Sequence, residues 1–474
     1  MIFSSTLFLL YFLPVFLTVY YLVGVRYKNF MLLIASIFFY SWGAPKFIFV
    51  ILGTTILDFY VVKMMGESQN QVKRKLLLFL SIIANIGLLF YFKYANFFVD
   101  NINVALSNLN IQPLSWTHLI LPIGISFYTF ETITYVIDVY RKVHRPLTNF
   151  WDYQLYIIMF PKLIAGPIVR YIDIADQIKN RFVTDNIDAR LTGFYRFSIG
   201  LGKKVIIANQ LGIFADQIFM SDYTLLDSRL AWIAIIGFAF QLYFDFSGYS
   251  DMAIGLAKML GFTFPENFNN PYVSTSITDF WRRWHISLGT WMKHYLYIPL
   301  GGNQVDKKSR LYLNLWIVFL ASGFWHGASW NFIIWGAYHG LFLILERMFL
   351  LNWLQKIYMP IRVLITFVIV LVGWVFFKMD AFKPAIQFIH QLFSFTQQKN
   401  VYVEPEFIGY LCIAAFFAFF TIFNIGKHIH QQFFKVQTTI GSHMLLFAMS
   451  TLLIFTSLCL ITSLDFNPFI YFRF

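Results

Sequence analysis

Hydrophobic runs of about 20 residues recur along the whole chain and are separated by short polar connections. A helix rises about 1.5 Å per residue and the bilayer core is about 30 Å thick, so such runs are typical of transmembrane helices. The alternating pattern of a membrane β-barrel is not present. We therefore predict an all-α polytopic membrane protein with about eleven transmembrane helices plus re-entrant and interfacial amphipathic helices. The runs lie near residues 2–23, 30–43, 47–62, 76–99, 117–137, 153–169, 193–219, 230–259, 311–324, 328–351, 361–378, 407–426 and 443–464.

The connections include no linker of domain length, which predicts a single integral membrane domain over residues 1–474. The first run, residues 2–23, has no basic residue before it and no small-residue cleavage site, and Arg26 and Lys28 follow it. A secretory signal peptide has the opposite arrangement. Because basic connections face the cytoplasm, we predict a retained first helix with the N-terminus outside.

Composition narrows the class of protein further. Hydrophobic residues make up 58% of the chain, charged residues only 12%, and the mean hydropathy is +0.63. These values exclude a soluble enzyme, a disordered chain and a secreted disulfide scaffold. The net charge of +13 comes mostly from Lys and Arg in the short connections. This indicates cytoplasmic loops near anionic lipids, or attraction of an anionic cytoplasmic ligand, and not nucleic-acid binding.

Residues 264–310 form the longest stretch that does not resemble a transmembrane span. Its apolar residues recur every three or four positions, which predicts one face of a helix beginning at Ser276 or Thr278. Basic residues fall on other faces, so we predict an amphipathic helix in the cytoplasmic membrane interface, as an anchor or as part of a site. The apolar positions are Trp281, Trp284, Leu288, Trp291 and Met292, and the basic ones are Arg282, Arg283, His285 and Lys293.

Polar residues inside apolar runs are costly at membrane depth and therefore indicate a functional cavity or a buried polar network. His326 stands between two runs, follows Trp325 and is surrounded by Ser and Gly, which allow close approach of a helix or ligand. His339 follows in the second of these runs and is a weaker candidate. Asp245 and Tyr249 interrupt another apolar run, and we expect them to line a cavity wall.

The chemistry that these residues suit is acyl transfer. The only cysteines, Cys412 and Cys459, lie in apolar runs, and the histidines lack the spacing of a zinc motif, so no metal site is expected. Burial keeps a histidine neutral, and a neutral imidazole takes a proton from a hydroxyl nucleophile. Basic residues at the cytoplasmic surface, namely Arg282, Arg283 and Lys293, suit the phosphates of an acyl carrier such as coenzyme A.

Six segments of the chain resemble the membrane-bound O-acyltransferase family, in the bacterial branch that contains the membrane subunits of alginate and peptidoglycan O-acetyltransferases. The pair FWRRWHISL and FWHGA is the most specific feature. The segments are LPIGISFYTFETITYVIDVYR (121–141), FPKLIAGPIVRY (160–171), FDFSGYSDMAIGLAKMLGF (244–262), DFWRRWHISLGTWMKHYLYIPLGGN (279–303), SGFWHGASWNFIIWGAYHG (322–340) and FNPFIYFRF (466–474).

The resemblance implies a many-helix membrane fold that moves an acetyl group from cytosolic acetyl-CoA to an extracytoplasmic polysaccharide. It implies that His326 is the catalytic histidine and that His285 is its second characteristic histidine. Trp281, Trp284 and Trp325 are then expected in the cavity wall. Acetyl-CoA is a co-substrate, so no tightly bound cofactor is expected. The implied setting is the bacterial inner membrane, with membrane lipids and a separate periplasmic acetyltransferase as partners.

Two alternatives remain open at the level of the sequence. A D-alanyl transferase that acts on teichoic acids belongs to the same family and uses a carrier protein as donor. A non-enzymatic membrane transporter with a polar cavity would use the same polar residues without a coenzyme A site. The YIPLGGN segment, residues 297–303, favours the polysaccharide acetylation branch.

Overall fold

The fold is helical throughout the part of the chain that the structure describes. The structure is a computed structural model that describes residues 1–181, 185–221, 226–395, 402–434, 439–463 and 469–470. Every regular element in these ranges is a helix, which confirms the predicted all-α class. The last segment of the family resemblance, residues 466–474, lies outside the described residues except for Phe469 and Ile470.

Seven helices are long and apolar enough to cross a membrane in the described ranges, and one shorter apolar helix, Leu7–Leu22, precedes them. The predicted number of about eleven is therefore not confirmed. Several apolar runs form helices that are too short, such as Lys28–Gly43 and Ile125–Tyr140, with 16 residues each. The seven helices are Ile48–Glu67, Gln71–Asn108, Ser228–Met259, Trp330–Leu354, Met359–Lys378, Pro405–Ile422 and Ile440–Ser463.

The described residues form two compact units, and the prediction of one domain over residues 1–474 stays a prediction. The first unit contains Met1–Asp185 and Gly261–Pro265. It contains a buried ion pair between Glu131 and Lys162. Its helices are α1 (Leu13–Leu22), α2 (Lys28–Gly43), α3 (Ile48–Glu67), α4 (Gln71–Leu89), α5 (Ala95–Asn108), α6 (Ile125–Tyr140), α7 (Phe150–Ile158), α8 (Phe160–Leu163) and α9 (Tyr171–Asn180).

The second unit contains Asn186–Leu260 and Glu266–Phe474, and it holds all of the predicted site residues. Its central element is the long helix α12, which packs against α10, α11, α18, α19 and α20. Its helices are α10 (Ile187–Gly202), α11 (Asn209–Phe219), α12 (Ser228–Met259), α13 (Ile277–Arg283), α14 (Ile286–Met292), α15 (Lys308–His326), α16 (Trp330–Leu345), α17 (Leu351–Leu354), α18 (Met359–Lys378), α19 (Phe382–Phe393), α20 (Pro405–Phe419), α21 (Asn424–Phe434) and α22 (Ile440–Ser463).

Glycines allow the two main helices of this unit, α10 and α12, to approach backbone to backbone. A Cβ atom at Gly200 would lie 2.5 Å from the carbonyl oxygen of Gly248, and one at Gly193 would lie 2.7 Å from that of Gly255. No side chain fits at such distances. Because both pairs are seven residues apart, they align two turns of one helix with two turns of the other.

A second close glycine contact positions the helix junction that carries His326. A Cβ atom at Gly323 on α15 would lie 2.3 Å from the carbonyl oxygen of Phe332, and one at Gly336 on α16 would lie 2.3 Å from that of Phe319. The helices α15 and α16 therefore pack closely on both sides of the turn at Gly327. This confirms the expectation that small residues around His326 permit close approach.

Candidate active site

The segment predicted as one amphipathic helix is broken at Trp284 and His285. Two seven-residue helices, α13 and α14, flank the break, and His285 has a left-handed backbone with φ of 45°. The break is bonded to a neighbouring segment. The Arg283 carbonyl accepts from the Asn269 N–H at 2.9 Å, and the Ile286 N–H donates to the Asn267 carbonyl at 2.9 Å. The prediction of a continuous helix was therefore wrong.

The apolar face of this segment covers the protein interior. Trp284 is 2% exposed, and its ring lies 4.9 Å from that of Trp374 and 5.6 Å from that of Phe280, centroid to centroid. Trp291 is also buried. The prediction that this face packs in the membrane interface is thus corrected, because its aromatic rings pack against other residues of the second unit.

Two capping interactions fix the start of α13. The Ser276 hydroxyl accepts from the Asp279 N–H at 3.0 Å, which confirms one of the two predicted caps. The buried carboxylate of Glu346 accepts from the Ile277 and Thr278 N–H groups at 2.5 and 2.9 Å. These contacts satisfy backbone N–H groups of the first helical turn, which have no partner within the helix, and they hold α13 in place.

His326 is the last residue of α15, and its imidazole is buried among aromatic rings. Its Nδ1 lies 2.7 Å from the Ser322 carbonyl oxygen. A carbonyl only accepts hydrogen bonds, so Nδ1 is the donor and the lone pair of the neutral ring is on Nε2. The ring centroids of Trp325, Trp335 and Phe377 lie 4.9, 4.8 and 5.6 Å from that of His326.

His285 lies on the other side of Trp325. The Trp325 ring centroid is 6.1 Å from that of His285 and 4.9 Å from that of His326, so this indole bridges the two imidazoles. Phe246 on α12 contacts the His285 ring at 4.7 Å. Burial lowers the pKa of His285 well below its ordinary value, and nearby His326 lowers it further. The ring is therefore neutral at physiological pH.

His339 is fully buried one ring away from His326. Trp335 separates the two, with centroid distances of 5.2 Å to His339 and 4.8 Å to His326. The Trp281 ring contacts His339 at 5.0 Å. The structure thus collects His285, His326, Trp281, Trp284 and Trp325 into one aromatic cluster, which also contains Trp335 and Trp374.

Asp245 and Tyr249 lie on one face of α12 and contact other groups. Asp245 forms a buried ion pair with Lys204 and accepts a hydrogen bond from the Ile470 N–H at 2.8 Å. The Tyr249 ring packs on Phe469 with centroids 4.8 Å apart. Their predicted role in a cavity wall stays a prediction, whereas the alternative of a buried polar network describes the contacts of Asp245.

Two polar cavities lie beside this cluster. The smaller, about 230 Å³, is lined by Ser247, Ser250 and Asp251 of α12, by Asn267, and by the ionic residues Arg196, Lys203 and Glu266. The larger, about 490 Å³, is lined by Arg283, Asp279, Lys427 and His430, among others. Asn269, Asn270 and His430 line both.

The three predicted donor-binding cations differ in position. Arg283 lines the larger cavity, and its Nε donates to an Asp279 carboxylate oxygen at 2.8 Å. Arg282 and Lys293 are exposed, and neither is among the residues that line the two cavities. The structure therefore singles out Arg283 from this set.

Sequence reasoning missed Asn267, Glu346, Trp335 and Trp374. Asn267 bonds to His285, Glu346 caps α13, and the two tryptophans complete the aromatic cluster. A buried acid at the end of the apolar run 328–351 was the available signal for Glu346. Asn267 stands in an Asn-rich stretch that is typical of a turn and carries no comparable signal.

Comparison with known proteins assigns the chain to a family. Residues 47–380 match the family model described as MBOAT, membrane-bound O-acyltransferase family. The probable alginate O-acetylase AlgI of Pseudomonas aeruginosa is 46% identical over 83% of this chain and 75% of its own length. The corresponding protein of Pseudomonas putida is 40% identical over the full length of both. The peptidoglycan O-acetyltransferase of Helicobacter pylori is 39% identical over 82% of this chain and 79% of its own.

These matches cover most of the chain, and the chain belongs to the membrane-bound O-acyltransferase family. It is a multi-pass membrane acyltransferase, as the sequence predicted. The alternative of a non-enzymatic transporter is not supported. Teichoic acid D-alanyltransferases are more distant, with 28% identity over 49% of this chain for the protein of Bacillus subtilis.

Proposed function

We propose that this protein is a membrane O-acetyltransferase that uses cytosolic acetyl-CoA to acetylate an extracytoplasmic polysaccharide of the alginate or peptidoglycan type. The observation that carries the proposal is the geometry of His326, a buried imidazole whose Nδ1 is held by a backbone carbonyl. The names of the relatives at 39–46% identity support acetylation and a polysaccharide acceptor.

His326 is the proposed general base. Its Nε2 takes the proton of the acceptor hydroxyl while the hydroxyl oxygen attacks the thioester carbonyl carbon. The C–S bond then breaks, and the coenzyme A thiolate takes the proton back from the imidazolium. An ester and a free thiol result, and His326 returns to its neutral form. The aromatic rings around His326 exclude water, which would otherwise hydrolyse the thioester.

The two polar cavities are the proposed approach of the donor. His430 and the Asn269–Asn270 pair line both cavities, and Asn267 links the smaller one to His285. Arg283 and Lys427 place positive charge in the lining of the larger cavity, which suits the phosphates of coenzyme A. Arg282 and Lys293 would then contribute attraction at longer range.

The cellular setting completes the proposal. The protein would lie in the bacterial inner membrane with its N-terminus outside, and the polar cavities would open toward the cytoplasm. A separate periplasmic acetyltransferase would present the acceptor hydroxyl, or the polysaccharide would enter directly. Asp245 and Tyr249 would belong to the wall of the chamber in which the two substrates meet.

Inside-out membrane vesicles test the proposed donor and reaction together. With acetyl-labelled acetyl-CoA outside the vesicles and polysaccharide with the periplasmic fraction enclosed, label is expected to appear on the polysaccharide as an alkali-labile ester. The measurement is label retained on the polymer after base-free precipitation. Transfer from a D-alanyl carrier protein but not from acetyl-CoA would contradict the proposal, and so would uptake of label without ester formation.

Neutralising Arg283 is expected to weaken donor binding more than chemistry. Because Arg283 lines the larger cavity and is partly exposed, Arg283→Gln is expected to raise the apparent KM for acetyl-CoA several-fold and to leave kcat within about two-fold. Steady-state kinetics in vesicles at several donor concentrations provide both values. Added salt should raise the wild-type KM in the same direction, since the Debye length is only about 8 Å at physiological ionic strength.

Arg310 on α15 provides the matched control, because it is exposed and lines neither cavity. Arg310→Gln removes the same charge and is expected to leave the KM for acetyl-CoA unchanged. Equal KM values for Arg283→Gln and the wild-type protein would show that Arg283 serves only its local contacts with Asp279 and the Asn269 carbonyl.

A further inference from the structure

A single buried carboxamide, Asn267, organises both the backbone and the ring of His285. Asn267 is 1% exposed. Its carbonyl oxygen accepts from the Ile286 N–H at 2.9 Å, which helps to hold the left-handed backbone of His285. Its side-chain Oδ1 lies 3.1 Å from Nδ1 of His285. Main chain and side chain of one residue therefore act on the same histidine.

The orientation of this carboxamide follows from its other partners. The Ser287 backbone N–H, which only donates, lies 3.3 Å from Oδ1, and the Ser287 hydroxyl donates to Oδ1 at 2.8 Å. On the other side, Nδ2 donates to the Ser250 hydroxyl at 2.9 Å. A flipped amide would place an NH₂ group against the Ser287 N–H. The oxygen therefore faces His285, and Nδ1 of His285 must be the donor.

We propose that Asn267 is a positioning residue that holds His285 in the Nδ1–H tautomer, so that Nε2 of the neutral ring is a hydrogen-bond acceptor and a base. This inference rests on the proposed function, in which His326 is the general base, because His285 lies next to His326 across the Trp325 ring. Nε2 of His285 is buried and has no hydrogen-bond partner among the described residues. A buried acceptor of this kind is suited to a hydrogen bond from a substrate.

The tautomer has a chemical consequence for the reaction. A neutral His285 with its proton on Nδ1 has no N–H at Nε2 to offer to an oxyanion. His326 has the same tautomer, because its Nδ1 donates to the Ser322 carbonyl. Two imidazoles on either side of Trp325 thus present basic nitrogens, so stabilisation of a developing oxyanion must come from other donors.

Nitrogen NMR measures the tautomer without any turnover. The full-length protein is labelled with ¹⁵N-histidine in lipid bilayers, and the His285 signals are identified by their loss in His285→Gln. The expected result is a neutral ring with protonated Nδ1 and unprotonated Nε2. A wild-type His285 that is protonated on Nε2, or that exchanges between both forms, would overturn the proposal.

Two substitutions at Asn267 separate positioning from simple packing. Asn267→Ala removes the acceptor, and kcat is expected to fall about 10–100-fold with little change in the KM for acetyl-CoA. Asn267→Asp keeps an acceptor for Nδ1–H and adds negative charge, which favours the imidazolium. The fall of kcat on the acidic side of its pH profile is therefore expected to begin at a pH about 1–3 units higher than in the wild-type protein.

The charged and titratable groups near this pair are His326, which interacts with His285, and those that line the smaller cavity, namely Arg196, Lys203, Tyr243, Asp251, Glu266 and His430. These groups are the same in the wild-type protein and the variant, so a difference between their pH–rate profiles is caused by the substitution at residue 267. Asn352→Asp, at an exposed position on α17, is the control for added charge and is expected to keep the wild-type profile.

The outcomes distinguish this inference from the proposed function. Wild-type kcat and an unmoved pH profile in both Asn267 variants would show that the amide is structural only, and would overturn the inference. Failure of the proposed function would appear differently, as wild-type protein that transfers no acetyl group from acetyl-CoA. The NMR result stands in either case, because it reports the ring and not the turnover.

Discussion

His326→Ala is expected to lose polysaccharide acetylation while the protein still inserts and folds. The imidazole is the proposed general base, and removing such a group lowers the rate by about 10²–10⁴-fold. The substitution also removes the hydrogen bond to the Ser322 carbonyl, which lies in the last turn of α15. The measurement is the initial rate of ester formation from labelled acetyl-CoA, normalised to the amount of folded protein in the membrane.

His118→Ala is the matched control, because His118 is a largely exposed histidine in the first unit, with its side chain 65% exposed. This variant is expected to acetylate at the wild-type rate. Near-normal acetylation by His326→Ala would remove His326 from the mechanism. His326→Gln gives a further check, since its amide can still donate to Ser322 but is not a base at neutral pH.

Lys204→Met is expected to destabilise the protein strongly. Lys204 and Asp245 form an ion pair in which the side chains are 3% and 2% exposed. Removing one partner of a buried pair leaves an uncompensated charge and costs about 3–5 kcal/mol. The measurement is the free energy of unfolding in detergent, followed by tryptophan fluorescence.

The double variant Lys204→Met with Asp245→Asn tests the cause of this loss. It removes both charges, and Asn still accepts a hydrogen bond from the Ile470 N–H through its side-chain oxygen. Most of the lost free energy of unfolding is therefore expected to return. A double variant as unstable as Lys204→Met would show that packing of the lysine stem, and not the unpaired carboxylate, is responsible.

The position of His326 could be predicted from the sequence because the signal is local. Small residues and a change of apolar run mark a helix junction, and the structure places His326 on the last turn of α15, before Gly327. The cap of α13 at Ser276 is local in the same sense. Such features depend on a few neighbouring residues, and the physical rules for helix ends apply directly.

The break at His285 could not be predicted because it depends on a separate segment. Three- and four-residue spacing from Trp281 to Trp291 is compatible with one helix, but the chain breaks at the left-handed His285, where backbone bonds to residues 267–269 replace helical ones. The same spacing also gave the wrong environment for Trp284. An apolar helical face looks alike in sequence whether lipid or protein covers it.

The predicted number of spanning helices is not confirmed for a related reason. Hydropathy detects apolar runs, but an apolar run can fold into a short buried helix such as α7, which has nine residues. Residues 187–219 form one continuous helical stretch that carries Arg190, Arg196, Lys203 and Lys204, and it is absent from the apolar spans. Composition within a window does not distinguish burial in protein from contact with lipid.

The glycine contacts between α10 and α12 limit how this protein changes during evolution. Every substitution at a glycine adds at least a Cβ atom, and at Gly193, Gly200, Gly248 and Gly255 that atom would overlap the backbone of the facing helix. A rotamer change in a neighbouring side chain cannot remove this overlap, because the clash is with main-chain atoms. Single substitutions at these glycines are therefore not expected to change the distance between α10 and α12 in small steps. Helix α12 carries Asp245 and Phe246, so their distance from α10 is limited in the same way.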